Sequence, residues 1–227
     1  MDLQFGALAR HLPYLLEGLG VTVLVSVATC ALSFALGLGV AMARVSRPRW
    51  LRGMGGAYID VFRNTPFVVQ LFFFYFGLPE VGILIGPIET GIVALSLSTA
   101  ASNAEVIRAG IETIDRGVVE AARSFALSAA QVYRHVILPI ALRVAWRPLG
   151  SVFVNMVLTT SVLSTITVND LMGNANTVSS QTFRPFEVYL TVLVLYCLVT
   201  FTLSAAINVV QALYLERKRG GHARQPI

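Results

Sequence analysis

The chain has 227 residues, of which 56% are hydrophobic and only 13% are charged, and its mean hydropathy is +0.72. Such values are far too apolar for an ordinary soluble domain of this length, so the lipid bilayer is the expected solvent. The net charge of +5 is better explained by membrane topology and contact with anionic lipid than by nucleic-acid binding. Membrane lipid is therefore an expected partner, and nucleic acid is not.

Five stretches of about 20 mainly apolar residues are long enough to cross the hydrocarbon core. They are Val21–Ala43, Ala57–Leu78, Thr90–Ile111, Ile140–Ile166 and Val188–Tyr214. The pattern predicts an all-α integral membrane protein, with one transmembrane domain over residues 1–216 and a short basic cytoplasmic tail over residues 217–227. Pro66 is expected to kink the second span, because proline removes a backbone donor from a helix.

The basic residues alternate between the two sides of the predicted membrane. They cluster after span one, between spans three and four, and after span five, whereas the other two connections hold only Arg184 and the segment before span one holds only Arg10. Lysine and arginine are retained on the cytoplasmic side of bacterial inner-membrane proteins. We therefore expect a multi-pass protein of the bacterial inner membrane, with its N-terminus outside, its C-terminus in the cytoplasm and the polar loop Asn169–Arg184 outside.

The least membrane-like segment, Asp115–Pro139, falls on the cytoplasmic side in this topology. Ser128 is followed three positions later by Gln131, a capping-box spacing that predicts a second short helix after a turn near residues 126–128. Pro139 is expected to mark the bend back towards the membrane. Helical periodicity predicts one apolar face on the first helix, made of Val118, Ala122, Phe125 and Ala126. On spacing alone, this hairpin suits either docking into a groove on a cytoplasmic partner or lying on the lipid headgroups.

Two sets of residues in this segment carry a recognisable motif. Glu120-Ala121-Ala122 and, further on, Val136-Ile137-Leu138-Pro139 resemble the EAA loop of binding-protein-dependent ABC importers. The resemblance extends over nearly the whole chain to permeases for polar amino acids. It is carried by Tyr58–Pro66 with Gln70, Phe74–Pro79, Glu105–Ile111, and Leu149-Gly150 with Thr160-Ser161. Ala126 stands where the family usually has glycine, so a left-handed backbone there would cost about 1 kcal/mol.

This resemblance implies a type I ABC importer permease-like fold, with about five transmembrane helices and a cytoplasmic coupling hairpin between the third and the fourth. The residues that it assigns to ATPase coupling are Gly117, Glu120, Ala121, Ala122, Ala126, Leu138 and Pro139. The implied partners are two ATPase subunits that bind ATP and Mg, a second permease subunit, identical or homologous, and a periplasmic or lipid-anchored substrate-binding protein. The chain itself has no Walker A loop and its only lysine is Lys218, so we expect no cofactor and no enzymatic activity of its own.

Polar side chains inside the predicted spans are candidates for the transport path or for helix packing. The candidate path residues are Gln70, Asn103, Thr159, Thr160 and Ser161. Asp60 with Arg63, and Glu105 with Arg108, are each three positions apart, so each pair can meet on one side of a helix. Such pairs act either as an inner gate or as structural ties at the cytoplasmic boundary.

The predicted function is therefore the transmembrane permease subunit of an ATP-binding-cassette importer for a polar amino acid or a related solute. The alternative is a membrane scaffold or regulator that docks an ATPase without transporting. A membrane-embedded enzyme is disfavoured, because all the histidines lie outside the spans and no acidic cluster has metal-ligand spacing. Arginine, histidine, glutamine, glutamate, an opine and an ectoine-like solute all stay open as substrates, since specificity rests largely with the binding protein.

Overall fold

A computed structural model describes residues 9–216 of the chain, with side chains described as far as residue 213. Every regular element in that range is helical, which confirms the all-α prediction. The helices are α1 Leu12–Arg44, α2 Arg49–Asn64, α3 Phe67–Glu80, α4 Pro87–Glu112, α5 Arg116–Ser124, α6 Ala129–Val132, α7 Leu138–Thr159, α8 Leu171–Thr182 and α9 Pro185–Val210. A π-helical turn at Tyr133–Ile137 joins α6 to α7, a 3₁₀ turn at Thr160–Ile166 extends α7, and a second π-helical turn at Gln211–Glu216 follows α9. The predicted basic tail at 217–227 lies outside the described residues.

Three helical runs within the described residues are long and apolar enough to cross a bilayer, namely Leu12–Arg44, Ala129–Ile166 and Pro185–Leu213. They correspond to predicted spans one, four and five, and the 26-residue α4 corresponds to span three. Prolines lie in the first turns of α1, α4 and α9. A proline there loses no helical hydrogen bond, because the first N–H groups of a helix have no partner within it. The prolines therefore allow these helices to begin before the apolar stretches predicted as spans.

The predicted continuous second span, Ala57–Leu78, is wrong, because two helices occupy this part of the chain. The backbone is extended at Thr65, with φ −112° and ψ 132°, immediately before Pro66. Proline forces the residue before it out of the helical region and cannot donate a hydrogen bond itself. The Gln70 side-chain amide compensates, since its Nε2 lies 2.8 Å from the carbonyl oxygens of both Phe62 and Thr65. The expected kink is thus a full break that a side chain bridges.

The closest helix packing in the bundle runs along α1 and α4. A small residue recurs every three or four positions on the buried side of α1, at Gly18, Thr22, Ser26, Thr29, Ser33, Gly37 and Ala41. At Gly37, an added Cβ would lie 2.6 Å from the Cβ of Asn103 and 3.0 Å from the Ala100 carbonyl oxygen. Small residues let helix backbones approach closely in a membrane, where van der Waals packing drives helix association.

Two further segments differ from the prediction. The polar loop expected at Asn169–Arg184 is wrong, because most of it forms helix α8, capped by Asp170. Asparagine, serine and threonine favour loops when their side chains compete for the backbone, which is why the sequence pattern concealed this helix. The bend expected at Pro139 is also wrong, since Pro139 lies in the first turn of α7, directly after the π-helical turn. The hydrogen-bond register changes there, so a residue without an N–H is accommodated.

The helices pack together through a different buried cluster at each end of the bundle. One cluster joins the start of α1 to α8 and α9 through residues such as Leu15, Leu171 and Val188. The other joins the end of α1 to α2, α4 and α7 through residues such as Ala41 and Ile107. The α5–α6 segment follows the end of α4, so it lies at the opposite end of the bundle from α8.

We expect Gly37→Ala to destabilise the protein by about 1–3 kcal/mol, because the new Cβ overpacks the α1–α4 contact. Gly39→Ala is the matched control, since it lies on the same helix and an added Cβ there meets nothing within 4 Å. Thermal unfolding of the purified protein in detergent measures both changes. Equal shifts in Tm for the two variants would contradict the close contact.

Candidate functional site

The hairpin, residues 115–137, starts with a capped helix and turns at a left-handed residue. Asp115 caps α5 by accepting a hydrogen bond from the Gly117 N–H at 2.6 Å. α5 ends at Ser124, and Ala126 then takes a φ of +56°. This is the region of backbone space that favours glycine, so alanine is strained where a glycine would not be. The turn lies where the sequence predicts it.

α6 begins with the predicted capping box. The Gln131 N–H donates to the Ser128 hydroxyl at 3.4 Å, and the Ser128 N–H donates to the Gln131 side-chain oxygen at 2.8 Å. The pair satisfies two of the backbone donors that a helix start leaves open. From this cap the chain stays helical to Ile166, so the hairpin continues directly into a long apolar helix.

The inner side of the hairpin is packed against the end of α4. Ala122, Val132 and Ile137 are buried together, and Ile111 and Ile114 pack against them. Contacts of this kind hold the two short helices to each other and to the membrane bundle. The hairpin is therefore a rigid extension of α4 and α7.

The outer side of the hairpin exposes an apolar surface. Phe125 is 80% exposed and Val118 is 41% exposed. The predicted apolar face is split, because Ala122 is buried while Val118, Phe125 and Ala126 are exposed. Phe125 and Ala126 follow the last residue of α5, so they leave the positions that helical periodicity predicts for them. Of the predicted coupling residues, Gly117, Glu120, Ala121, Ala126 and Pro139 are exposed, Ala122 is buried and Leu138 is half-buried.

A second candidate site is a polar face formed by α4 and α7. On α7, polar side chains recur at four-residue spacing, which places them on one side of the helix. Those residues are Arg147, Ser151, Asn155 and Thr159, and Ser98 and Ser102 on α4 have the same spacing. All six are at least partly exposed. We call these six residues the polar face.

Two cavities open along the polar face. The first, of about 200 Å³, lies between α3, α4 and α7, and its lining includes Phe67, Ser98, Ser102, Asn155 and Thr159. The second, of about 460 Å³, lies between α7 and α9, and its lining includes Arg147, Ser151, Asn155, Ser204 and Asn208. Neither lining contains a carboxylate among the residues described. Across residues 9–216, no three His, Cys, Asp or Glu side chains lie together as a metal site requires.

A different side of the bundle is apolar. Between α1 and α9, a groove of about 400 Å³ is lined mainly by valine and leucine side chains, including Val23, Val27 and Leu198. The Thr202 hydroxyl also lies there, but it donates to the Leu198 carbonyl at 2.6 Å. Unpaired polar groups facing hydrocarbon cost several kcal/mol each, on the order of the cost of an unmade hydrogen bond. The apolar side therefore suits lipid contact, and the polar face does not.

The predicted path residues do not form one patch. Gln70 is buried, and its amide bridges the break between α2 and α3. Asn103 is fully buried between α1 and α4, and Thr160 is buried with its hydroxyl 2.7 Å from a backbone carbonyl. Ser161 lines a separate cavity beside α9. Only Thr159 of the five lies on the polar face.

The sequence analysis missed most of the polar face. Ser98, Ser102 and Asn155 are mild polar residues for which helix packing is the default interpretation. The signal that identifies Asn155 is the four-residue spacing from Arg147 to Thr159, which repeats through the second half of α7, and Ser98 and Ser102 show the same spacing on α4. Three adjacent hydroxyl residues, by contrast, must point to different sides of a helix.

Charged side chains form a network at the end of α4 nearest the hairpin. Arg108 donates to Glu105 through Nε at 3.1 Å and through Nη2 at 2.9 Å, and it also contacts Glu112. Arg63 Nη1 lies 4.0 Å from Glu105 Oε2. The expected Asp60–Arg63 pair does not form among the described ion pairs, because α2 crosses α4 where Glu105 is available to Arg63. The network ties α2 to α4, and a gating role for it stays a prediction.

The chain is similar in sequence and in structure to membrane subunits of binding-protein-dependent transport systems. Residues 35–220 match the family model for the binding-protein-dependent transport system inner membrane component. The probable glutamine ABC transporter permease protein GlnM of Bacillus subtilis (strain 168) is 40% identical over 203 residues, covering 89% of this chain and 92% of GlnM. The nopaline transport system permease protein NocM of Agrobacterium fabrum is 32% identical over 214 residues, covering 90% of this chain and 88% of NocM. A crystal structure of an amino acid ABC transporter with histidines superposes with a TM-score of 0.85 and 32% identity, covering 93% of this chain and 99% of that one.

We expect Ala126→Gly to stabilise the hairpin by about 1 kcal/mol, since glycine adopts a positive φ without a steric penalty. Ala130→Gly is the control, because it is exposed within the following helix, where glycine destabilises by about 0.5–1 kcal/mol. Hydrogen exchange of the hairpin peptides in the full chain measures both. Lower protection in the Ala126→Gly variant would contradict the left-handed turn.

Proposed function

The chain belongs to the family of binding-protein-dependent transport system inner membrane components, and from this premise we propose that it is the permease subunit of an ATP-driven importer for a polar amino acid or a close relative. The observation that carries the proposal is a rigid hairpin that presents an exposed aromatic side chain at the end of two long helices. At the turn of the hairpin, the exposed Phe125 lies close to the exposed Val118 in the sequence, and together they give an apolar surface that a partner protein can cover.

The hairpin docks into a cleft of a separate ATPase subunit. Phe125 is the anchor, since aromatic side chains that become desolvated at the centre of an interface carry much of the binding energy. Glu120 and Ala121 flank it on the exposed side of α5. Because the inner side packs on α4 and α7, a displacement of the docked hairpin moves both helices with it. This is the contact through which nucleotide-driven motion enters the chain.

The assembly contains two ATPase subunits, which bind ATP and Mg and carry out hydrolysis. It also contains a second permease subunit, identical or homologous, and a periplasmic or lipid-anchored substrate-binding protein. This chain contributes no catalytic group to hydrolysis. The basic clusters support an orientation in the bacterial inner membrane with the hairpin and the C-terminus in the cytoplasm and the N-terminus outside.

The polar face lines the translocation path and is turned towards the second permease subunit. Two observations support this placement: the face is partly exposed, and its hydroxyl and amide groups would be costly against lipid. A non-transporting scaffold would need no such face.

The chemistry of the lining favours a zwitterionic amino acid with a neutral polar side chain. Hydroxyl and amide groups of Ser98, Ser102, Asn155 and Thr159 can exchange hydrogen bonds with such a side chain. A cationic side chain would find no carboxylate in either cavity lining. Uptake measurements with competing glutamine, arginine and glutamate test this preference.

We expect Phe125→Ala to weaken attachment of the ATPase by at least tenfold, because the variant removes the exposed anchor without touching the buried side of the hairpin. Phe183→Ala is the matched control, since Phe183 is 87% exposed and directly follows α8, which lies at the opposite end of the bundle from the hairpin. Copurification of the ATPase from membranes measures both variants. Undiminished copurification with Phe125→Ala would refute the docking assignment.

We expect Thr159→Val to lower the rate of substrate uptake several-fold while leaving expression and ATPase attachment intact. Thr202→Val is its control, because the same isosteric change then falls on the apolar side. Both hydroxyls donate to the carbonyl four residues earlier, Thr159 at 2.8 Å and Thr202 at 2.6 Å, so the structural cost is similar. The rate of substrate uptake into proteoliposomes is measured for both variants. Equal losses of uptake would contradict the assignment of the polar face to the translocation path.

A further inference from the structure

A carboxyl group is buried without a counter-charge where α8 meets α1. Asp170 has no exposed surface. Its Oδ1 accepts a hydrogen bond from the Gly173 N–H at 2.8 Å, whereas its Oδ2 has no partner among the described residues. Asparagine would cap α8 as well as aspartate does, and it would bring no charge into the site. The capping role alone therefore does not account for a carboxyl group here.

Polar atoms from three helices surround Asp170. Asn174 is buried on α8, and its Nδ2 donates to the Tyr14 carbonyl at 2.7 Å while its Oδ1 has no partner among the described residues. Thr22 on α1 accepts the first N–H of α8 at 3.1 Å. Tyr196 on α9 is buried, its hydroxyl interacts with the side chains of Thr22 and Thr160, and it also interacts electrostatically with Asp170. Oxygen atoms with unused hydrogen-bonding capacity thus collect around one carboxyl group.

The contact between α8 and α1 at this point is tight. A Cβ added at Gly18 would lie 2.7 Å from the Asp170 carbonyl oxygen and 2.8 Å from Asn174 Nδ2. With so little space, α8 cannot shift towards α1 to accommodate a change in charge. Any response to charge must move α8 away from α1.

None of the ion pairs found within residues 9–213 includes this carboxylate. α8 and the 3₁₀ turn before it contain no ionisable residue. The ionisable residues of the neighbouring elements are Arg10, His11, Tyr14 and Glu17 at or beside the start of α1, and Arg184, Glu187, Tyr189, Tyr196 and Cys197 on or beside α9. Arg184 is engaged with Glu187 at 3.3 Å. Burial raises the pKa of Asp170 to about 6, and only hydrogen bonds from backbone N–H groups oppose that shift.

We propose that Asp170 is a proton-binding site that controls how tightly α8 is held against α1. When the proton is bound, the carboxyl group is neutral and the close contact carries no charge penalty. When the O–H bond breaks and the proton leaves to water, an unpaired charge remains in a site without solvent. States in which α8 moves away and water reaches the carboxylate are then favoured.

The direction of the pH dependence follows from proton linkage. The pKa of Asp170 in the folded protein lies above its ordinary value of 3.8, so the folded state binds the proton more strongly than the unfolded state does. The stabilisation is complete below about pH 4 and is lost as the pH rises through about 6. The change in stability therefore falls between about pH 4 and about pH 6 and is complete at neutral pH.

The test follows the full chain in lipid nanodiscs between pH 5 and pH 8. For the wild-type protein, we expect Tm to fall and the exchange of α8 amides, corrected for the intrinsic rate, to rise as the pH increases through about 6. Asp170→Asn should abolish both changes and raise Tm at pH 8, because the cap stays and the charge is gone. Glu17→Gln removes an exposed carboxylate from the adjoining helix, and it should keep the wild-type profile. None of these readouts needs transport, so the outcome is independent of the proposed function.

Three outcomes would overturn the proposal. The first is an Asp170→Asn variant that keeps the wild-type pH profile. The second is a change in the Tm of the wild-type protein at constant pH when sodium is replaced by choline, since the site would then bind a metal cation rather than a proton. If Asp170→Asn does not fold, Asp170→Ser takes its place, since serine also caps a helix without bringing a charge, and a wild-type pH profile in that variant is the third.

Discussion

The close approach of α1 and α4 is the contact on which the rest of the structure depends. Gly37 permits it, because any side chain there would enter the space held by Asn103 and Ala100. α4 packs in turn against α2, α3 and α7, so it is the central helix of the bundle. Ser98 and Ser102 on α4 belong to the polar face, and Ile111 near its end packs under the hairpin. One helix, positioned by small residues, thus fixes both candidate sites relative to each other.

The rule that backbone polar groups must be satisfied inside a membrane explains the least expected part of the fold. The break before Pro66 leaves carbonyl groups at the end of α2 without partners in their own helix. Gln70 binds two of them with a single amide nitrogen. The amide of this polar side chain is thereby committed to the backbone. Thr160 is set aside for a different reason, since its side chain is fully buried whereas that of Thr159 is partly exposed.

Local signals in the sequence predicted local structure well. Ser128 and Gln131 identify a helix start because both partners of a capping box lie within four residues. The turn at Ala126 and the Glu105–Arg108 contact are equally short-range. Helix α8 was not predictable in this way, since its polar side chains find partners far along the chain, as Asn174 does on Tyr14. The polar face lies between these cases, because the spacing on α7 is visible in the sequence but its exposure depends on how the other helices pack.

The two ends of the molecule are linked by one helical run. It starts at the Ser128 cap of the hairpin, passes the polar face and ends at Ile166, four residues before Asp170. At 1.5 Å per residue, a run of this length extends roughly 57 Å, more than the thickness of a bilayer. The π-helical turn lies near its start and the 3₁₀ turn at its end. Because no loop interrupts the run between the hairpin and the polar face, a displacement of the hairpin reaches the polar face without passing through a flexible connection.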